Sequence, residues 1–590
     1  LRTAPEPEGA EEGSRTGSDC MTTRRELLQI GLAAAGVSAL EAGFWKAVAQ
    51  QRLTQQDLLR FEAKGQVTLL HIADLHAQLV PVYLREPSIN LGVGEMKGEF
   101  PHITGDEFLR AAGIEPGTHM AYMLSSSDFE ALARNYGRVG GVDRLATLIK
   151  AIRAERGDER TLLLDGGDSL QGSYTALQTR GGDMVDVLSR LGIGALTGHW
   201  EFTLGADRVS ELFGGLDTPG TAPFQFLAGN VVETDFEDPV FHGTKVFERG
   251  GLRIAVLGQA FPYTPIANPR WMVPNWSFGI REETVRRHVE EARSGGADLV
   301  VLLSHNGFDV DRKLASRVPG IDVILTAHTH DALPFPVKVG RTLLVASGSH
   351  GKFLSRLDLE VRDGKIADYS YALIPVLADA IDPDPEMAEL VREIRAPHEP
   401  MLRTELGRTE TLLYRRGNFN GTLDDLICQA MLEERDAEIS LSPGFRWGAS
   451  LLPGQAITWE DIYNATAMTY PACYRTEMSG QMLKDILEDV ADNVFNPDPY
   501  YQQGGDMVRV GGLGFTIDVD ASMGNRISDM VLLRTGEPIE ASRTYVVSGW
   551  ASVNQNTEGP PIWNVVADYL KRHNVVRVEP NQNVKVVRSG

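Results

Sequence analysis

The chain has 590 residues, of which 42% are hydrophobic, so it is long enough for more than one globular domain. Its formal net charge of −23 argues against free nucleic acid as a partner. The three cysteines have no metal-binding spacing and suggest no disulfide framework. Cys428 and Cys473 are predicted to lie in the core, because neither has an adjacent base that would activate its thiol.

The N-terminal region contains a predicted export signal. Residues 1–20 are a Glu/Gly-rich leader of uncertain status. Arg24-Arg25 precedes the apolar run Leu27–Leu40, and Ala47-Val48-Ala49 supplies a small-x-small cleavage site. Paired arginines before a short apolar stretch indicate a bacterial twin-arginine (Tat) signal over residues 21–49. We therefore expect export to the periplasm and no membrane anchor after cleavage; the alternative is a cytosolic amphipathic helix.

The first predicted strand ends in a candidate ligand pair. The apolar run Val67–Ile72 predicts a buried interior strand of a parallel sheet, and Asp74 and His76 follow where the chain turns outward. Taken alone, this Asp-x-His triplet is more simply explained by a capping Asp beside a surface His. Residues 77–138 form a long predicted insertion with a helix candidate at Asp106–Ala112, and connections this long are uncommon unless functional.

Helices and strands then alternate to about residue 375. Apolar residues at helical spacing predict one helix after Gly140-Gly141 and a second around residues 184–191. Alternation of this kind predicts a layered α/β domain over residues 66–375. Short apolar runs predict its further strands at residues 161–164, 195–197, 226–229, 253–258, 299–303, 323–326 and 342–346.

A predicted helix links this domain to the rest of the chain. Asp384 is a suitable N-cap and Pro385 suits the first helical position, so we expect a linking helix within residues 376–400 that ends before Pro397. Residues 401–590 mix predicted helices and strands, without internal repeats or a cluster of metal ligands. They are predicted to form a separate α+β domain.

Polar side chains follow the strands of the first domain at their carboxyl ends. A lone His in such a place is usually a core residue, but five His with two Asp in one domain predict a shared metal site. His and Asp with open coordination positions suit two divalent ions such as Mn, Fe, Co or Zn better than Mg. The lack of Cys ligands argues against a purely structural zinc site. The candidate ligands are Asp74, His76, Asp168, His199, His305, His328 and His330.

The order of these motifs resembles the metallophosphoesterase family. The motifs are Asp74-x-His76, Gly167-Asp168, Gly198-His199-Trp200-Glu201, Ser304-His305-Asn306-Gly307 and Ala327-His328-Thr329-His330. Downstream, residues 416–419, 442–446 and 511–515 resemble the C-terminal domain of 5′-nucleotidases. From about residue 66 onward, the resemblance implies an α/β/β/α catalytic domain, a linking helix and an α+β substrate-binding domain.

The resemblance also implies a role for each candidate ligand. Asp74, His76 and His330 would bind one metal, while His199, His305 and His328 would bind the other. Asp168 would bridge them. Two metals roughly 3.5–4 Å apart would hold a bridging hydroxide as the nucleophile.

One motif departs from the nucleotidase pattern, which is Gly-Asn-His-Glu at this point. Here His199 replaces the Asn ligand, and Trp200 replaces the His that assists departure of the leaving group. Thr203 stands where the family has the Asp that orients that His. An alkoxide leaving group needs proton transfer, which is worth roughly 10²–10⁴-fold, whereas a persulfide needs little help. The departure therefore indicates a substrate that releases sulfur.

With this variant motif, the export signal and the insertion, the chain resembles the SoxB family, the sulfur-oxidation relatives of the 5′-nucleotidases. The resemblance implies a dimanganese hydrolase that acts in thiosulfate oxidation. It would remove the terminal sulfonate, as sulfate, from a cysteine S-thiosulfonate on the carrier protein SoxYZ. We expect a monomer. The alternatives are an exported 5′-nucleotidase-like phosphoesterase and a non-catalytic metal-binding scaffold for a carrier protein.

Substrate recognition is predicted to fall to the second domain. Arg416, Asn420 and Arg446 are the candidate sulfonate-binding residues, because guanidinium groups match sulfonate oxygens; surface ion pairs are the alternative for the arginines. The polar loop from residue 502 to Asp506 is predicted to line a channel for the carrier peptide, with a plain turn as the alternative. Trp200, Arg416 and Asp506 are the predicted catalytic residues.

Overall fold

The computed structural model of the protein describes residues 53–588. The predicted Tat signal over residues 21–49 lies outside the described residues. From Thr54 onward the chain belongs to one unit. Within residues 53–588, no helix combines the length and the apolar character needed to cross a bilayer.

The first part of the chain contains the predicted alternating strands, most within a residue or two of the expected bounds. The predicted strand at residues 226–229 is an exception, because only Gln225–Phe226 forms it. The strands are β1 (Val67–Ile72), β2 (Thr161–Asp165), β3 (Ala195–Leu196), β4 (Gln225–Phe226), β5 (Val232–Glu233), β6 (Thr244–Arg249), β7 (Leu252–Gln259), β8 (Trp276–Ser277), β9 (Leu299–Ser304), β10 (Val323–Thr326), β11 (Val337–Val339), β12 (Thr342–Ala346), β13 (Phe353–Arg362) and β14 (Lys365–Pro375).

The helices of this part include both predicted apolar stripes. The stripe after Gly140-Gly141 is buried on a helix of 15 residues, and the second lies on a helix of 10. The insertion holds three short helices, one of them close to the predicted position. The helices are α1 (Gln55–Leu58), α2 (Gly105–Ala111), α3 (His119–Leu124), α4 (Phe129–Tyr136), α5 (Val142–Arg156), α6 (Tyr174–Thr179), α7 (Gly182–Leu191), α8 (Ala206–Phe213), α9 (Thr264–Ala267), α10 (Glu282–Ser294) and α11 (Phe308–Arg317).

Two six-stranded sheets form the centre of this domain. Their strand orders are β14-β13-β1-β2-β3-β4 and β11-β12-β10-β9-β7-β6. β1 is an interior strand as predicted, but its sheet is mixed rather than parallel, because β1 pairs antiparallel with β13 and parallel with β2. The cause is the hairpin of β13 and β14, which returns to the sheet after the last crossover.

The two sheets pack face to face over a shared apolar core. Alternate residues of β1, β2, β7, β9 and β10 enter one buried cluster with residues of β12 and β13. These strands are buried on both faces. α5 lies against the first sheet, where its Arg156 donates to Thr68 of β1, and α7 packs on α5, while α10 and α11 contact strands of the other sheet. The expected α/β/β/α layering is confirmed.

The linking helix has the predicted start. Asp384 accepts a hydrogen bond from the Met387 backbone N–H, and Pro385 occupies the first position of α12 (Pro385–Arg395). A further short helix, α13 (Glu399–Leu402), follows and includes Pro400 in its first turn. The connection therefore extends beyond the predicted single helix.

The remaining residues form the expected mixed region, with three small sheets. Its helices pack against these sheets around two apolar clusters. The elements are β15 (Glu405–Thr409), α14 (Thr422–Glu434), β16 (Ile439–Ser442), β17 (Ala456–Thr458), α15 (Trp459–Thr466), β18 (Cys473–Ser479), α16 (Gly480–Phe495), β19 (Arg509–Gly511), β20 (Leu513–Asp518), β21 (Ile527–Leu532), β22 (Glu537–Pro538), β23 (Thr544–Trp550), α17 (Ile562–His573), β24 (Val575–Val576) and β25 (Val584–Val587). Both Cys428 and Cys473 are buried here, as predicted.

Candidate metal centre

Strand register brings the candidate ligand loops together at one edge of the two sheets. Ile72 of β1 lies opposite Asp165 of β2, so both strands end at the same level. In the loops that follow, the Asp74 backbone N–H donates to the Gly167 carbonyl at 2.8 Å, and the His76 N–H donates to the Asp168 carbonyl at 2.9 Å. Parallel pairing thus places residues that are distant in sequence around one point.

All seven predicted ligands meet there in two overlapping groups. Within each group the potential ligand atoms lie within 4.8 Å of one another, and every member is buried. One group is Asp168, His199, His305 and His328; the other is Asp74, His76, Asp168 and His330. Asp168 belongs to both, in the position expected for a bridging ligand. The structure therefore contains a candidate dinuclear metal site with Asp and His ligands, consistent with two divalent ions.

The polar atoms of this site fit a pair of cations. Nδ1 of His76 and of His330 and Nε2 of His199 and of His305 are buried without a hydrogen-bond partner. The Nε2 atoms of His76 and His330 are only 3.0 Å apart. Buried unpaired nitrogens are costly, and metal coordination would use lone pairs that are otherwise unsatisfied.

Hydrogen bonds behind the ligands orient two of the imidazoles. His305 Nδ1 lies 2.6 Å from the Gly166 carbonyl, and His328 Nε2 lies 2.9 Å from the Gln503 carbonyl. Because a carbonyl only accepts, each of these nitrogens carries the proton. The other nitrogen of each ring keeps its lone pair for a metal, an arrangement common around metal-bound histidines.

Burial keeps most of these rings uncharged. It lowers the pKa of His76 to about 4 and moves the pKa values of His328 and His330 well below the usual range. Burial would also lower the pKa of His305, but the Asp168 carboxylate outweighs it and raises that pKa to about 9. Burial opposes ionisation of Asp168, yet His199 and His305 hold its pKa well below the usual range. Neutral imidazoles around an ionised carboxylate suit metal binding, and a metal at this site would displace the proton that the raised pKa leaves on His305.

The ligand loops adopt an uncommon backbone conformation. Five of the seven ligands, all non-glycine residues, have φ between 46° and 76°. Such left-handed residues are rare and cluster at functional sites, where surrounding contacts over-determine them. These residues are Asp74, His76, Asp168, His328 and His330.

Glu201 connects the ligand loops that follow β2 and β3, a role that the sequence reasoning missed. Its buried carboxylate accepts hydrogen bonds from the backbone N–H groups of His199 at 2.8 Å and Ser169 at 2.9 Å. Longer bonds of 3.3 Å come from the N–H groups of Asp168 and Leu170. Burial raises its pKa. Glu201 lies directly inside the motif that contains His199, and this position in the sequence was the signal that could have identified its role.

A second missed residue, His350, lies behind the His76/His330 group. Its ring centroid is 5.3 Å from that of His76, and its Nε2 accepts the Gly448 backbone N–H at 3.2 Å. His350 therefore connects the metal site to the second domain. It follows β12 as a Ser-His pair, the same pattern that marked His305.

A cavity of about 220 Å³ opens beside the ligands, with walls from both domains. Trp200 is 5% exposed and meets Phe445 and Trp447 edge to face, at ring-centroid distances of 5.0 Å and 4.8 Å. Trp447 also stacks on His76. The wall next to the metal groups is therefore aromatic. An indole at this position has no proton to exchange at neutral pH.

Two of the predicted substrate-side residues, Arg446 and Asp506, line this cavity. The guanidinium of Arg446, however, is already hydrogen-bonded within the protein. Its Nη1 donates to the Thr329 carbonyl at 3.0 Å and its Nη2 to the Gly505 carbonyl at 2.7 Å. Its Nε lies 3.5 Å from Asp506, which also accepts from Arg509 at 2.9 Å. Arg446 thus holds the polar loop that the sequence predicted as a channel lining.

The other two predicted substrate-side residues, Arg416 and Asn420, are not among the described residues that line the cavity. Arg416 is buried and donates from Nη1 to Glu86 at 2.7 Å. Burial lowers the pKa of His330 most, and the charges of His76 and Arg416 lower it further. Arg416 follows Arg415, whose Nη1 donates to the Trp447 carbonyl at 3.2 Å, and Trp447 stacks on His76. Asn420 points elsewhere and donates to the Asn581 carbonyl at 3.1 Å, so the structure does not bring it to the cavity.

Comparison with known proteins places this site in a family. Residues 405–565 match the model of the 5′-nucleotidase C-terminal domain. The structure superposes on that of the sulfate thiohydrolase SoxB of Thermus thermophilus with a TM-score of 0.84. The two are 38% identical, over 89% of this chain and 97% of that one. The chain is a SoxB-like member of the 5′-nucleotidase family.

More distant relatives agree with this assignment. A 5′-nucleotidase precursor of Thermus thermophilus has the same fold, with a TM-score of 0.68 and 23% identity over 88% of this chain and 99% of that one. The mouse 5′-nucleotidase is 24% identical, over 76% of this chain and 82% of its own. Together with the candidate dinuclear site, membership of this SoxB-like group supports a metal-dependent hydrolase.

Proposed function

We propose that the chain is a thiosulfohydrolase that acts on a cysteine S-thiosulfonate carried by a protein of the SoxYZ type. Water would add to the terminal sulfur as the S–S bond breaks, so that sulfate is released and a cysteine persulfide remains. The observation that carries this proposal is the aromatic wall at Trp200. Likeness to SoxB at 38% identity supports it.

The aromatic wall at Trp200 affects which kind of leaving group the site can release. Trp200 occupies the place of the nucleotidase acid, and Phe445 and Trp447 surround it. Among the described residues that line the cavity, every imidazole belongs to a metal group. A basic alkoxide would therefore lack a proton donor, whereas a persulfide departs as a stable anion. Aromatic rings also make favourable contacts with sulfur.

The roles of the remaining side chains follow from the geometry. Two divalent ions, which we propose to be Mn²⁺, would polarise the sulfonate and activate water. Asp168 and Glu201 hold the ligand loops in register, and the neutral imidazoles present their lone pairs. The charge of Arg416 favours an anionic sulfonate on the His330 side, while Asp506 stays fixed by Arg446 and Arg509.

The proposal extends to the organisation and location of the protein. We propose a Tat signal at residues 21–49, a catalytic domain over 66–375, a linking segment over 376–400 and a substrate-binding domain over 401–590. A protein with this signal would act in the periplasm, where it would meet its carrier protein as a monomer.

A nucleotidase is the second candidate, favoured by the C-terminal domain match and by relatives such as the mouse enzyme. Manganese-loaded protein would be offered AMP and, separately, a carrier peptide bearing cysteine S-thiosulfonate. We expect sulfate from the carrier peptide and little phosphate from AMP, with chelator-treated protein as the control. Fast phosphate release would establish the nucleotidase instead. No product from either substrate would favour a non-catalytic scaffold.

A further inference from the structure

The long insertion of the first domain runs across the second domain. The Ser450 backbone N–H donates to the Tyr83 carbonyl at 2.6 Å, and the Leu91 N–H donates to Asn418 Oδ1 at 2.6 Å. Val93 is buried in an apolar cluster of the second domain. The segment between residues 83 and 93 therefore carries its side chains to the seam between the domains.

Glu86, in the middle of this segment, binds two buried cations. Its Oε1 accepts from Lys352 Nζ at 2.7 Å and its Oε2 from Arg416 Nη1 at 2.7 Å. Lys352 is 1% exposed, Arg416 5% and Glu86 9%. Burial would raise the pKa of Glu86, but Lys352 and Arg416 outweigh it and lower that pKa, so the carboxylate is ionised.

The three charges do not cancel. Two cations share one carboxylate, which leaves a net positive charge in a buried position, and such a charge is costly without an anion nearby. Within the described part of the chain, Glu86 accepts the one hydrogen bond that the Arg416 guanidinium donates. Lys352 lies two residues after His350, whose ring centroid is 5.3 Å from that of His76 and 5.9 Å from that of His330, so the unbalanced charge lies next to the metal centre.

We propose that Glu86 is a positioning residue that holds the Arg416 guanidinium towards the metal centre, while Lys352 leaves one positive charge available for the sulfonate of the substrate. This inference rests on the proposed function, since it takes Arg416 as the sulfonate-binding side chain. It assigns a purpose to the insertion, which brings an anchoring carboxylate from the first domain to an arginine of the second. A guanidinium fixed in advance loses less entropy when it binds an anion.

The test uses the full, manganese-loaded protein and three variants: Glu86→Gln, Lys352→Met and the control Glu155→Gln. Glu155 also pairs with a buried arginine, Arg356, but at the amino end of β1, away from the site. Sulfate binding would be measured by titration calorimetry, with kcat and KM for the carrier peptide and the manganese content alongside.

We expect Glu86→Gln to raise the Kd for sulfate and the KM roughly 10- to 100-fold, as for loss of a charge-assisted hydrogen bond. Its kcat and both metal ions should change little, and the control should match the wild type. Tighter sulfate binding in Glu86→Gln would overturn the proposal, since removal of a negative charge alone predicts that result. Unchanged binding would overturn it as well.

Lys352→Met covers the case in which Glu86→Gln does not fold. It keeps the bond between Glu86 and Arg416 but removes the net positive charge, so weaker sulfate binding is expected and unchanged binding would refute the charge argument. A wild-type protein that binds sulfate but hydrolyses only AMP would refute the proposed function. The sulfate affinities of the variants would still test the positioning role.

Discussion

Removal of the Glu201 carboxylate tests whether the metal site depends on the link between the ligand loops that follow β2 and β3. In Glu201→Ala, the backbone N–H groups of His199 and Ser169 lose bonds of 2.8 Å and 2.9 Å, and two longer bonds are lost with them. Two good bonds to a charged acceptor are worth about 3–6 kcal/mol. Burial raises the pKa of Glu201, so ionisation of this buried carboxylate has a free-energy cost. Glu201→Ala removes that cost, and the net loss of stability is therefore smaller than the energy of the lost hydrogen bonds.

We therefore expect a net loss of roughly 2–4 kcal/mol in the free energy of unfolding. Manganese affinity should fall roughly 10- to 100-fold, the usual cost of losing a residue that orients metal ligands. Urea unfolding and manganese content after a chelator challenge would measure both effects. Glu211→Ala, which removes an exposed carboxylate on α8, is the control. An unfolding midpoint and a metal content equal to those of the wild type would refute the assigned role of Glu201.

Three further predictions concern the metal site, pH dependence and the core. His199→Ala should lower the manganese content while Trp200→His keeps both ions, as measured by elemental analysis; metal loss in Trp200→His would contradict the motif assignment. Burial lowers the pKa of His102, but its 2.9 Å pair with Asp309 outweighs this and raises it. The pair thus stabilises the protein fully below pH 6.5, and this contribution is lost as pH rises through the higher folded-state pKa. Asp309→Asn should accordingly lower the melting temperature at pH 6 more than at pH 9, and an equal loss at both would refute the pair. Leu303→Ala, in the fully buried core between the sheets, should cost about 2–5 kcal/mol in urea unfolding, and a smaller loss would mean that the cavity collapses.

The candidate ligands could be predicted from the sequence because the same pattern recurs in one domain, although the Asp74-x-His76 triplet alone indicated a capping residue. Each follows a short apolar strand, and parallel strands end at one edge of a sheet, so the position of a residue in the pattern also determines where it lies in space. Local sequence patterns also predicted the layered fold and the start of the linking helix at Pro385. Antiparallel pairing of β1 with β13 was missed, because a returning hairpin leaves no periodic signature in the strand that it joins.

The substrate side could not be predicted in the same way. Arg446 and Asn420 carry groups that could bind a sulfonate. In the structure, however, Arg446 already donates to backbone carbonyls, and Asn420 points away from the cavity. Glu86 lies 330 residues from Arg416 in sequence, and only packing of the insertion against the second domain brings them within 2.7 Å. The sequence by itself determined which residues could bind metals, since that depends on strand ends. Only the tertiary structure decided which polar groups remain free to bind a substrate, since that depends on partners contributed by distant segments.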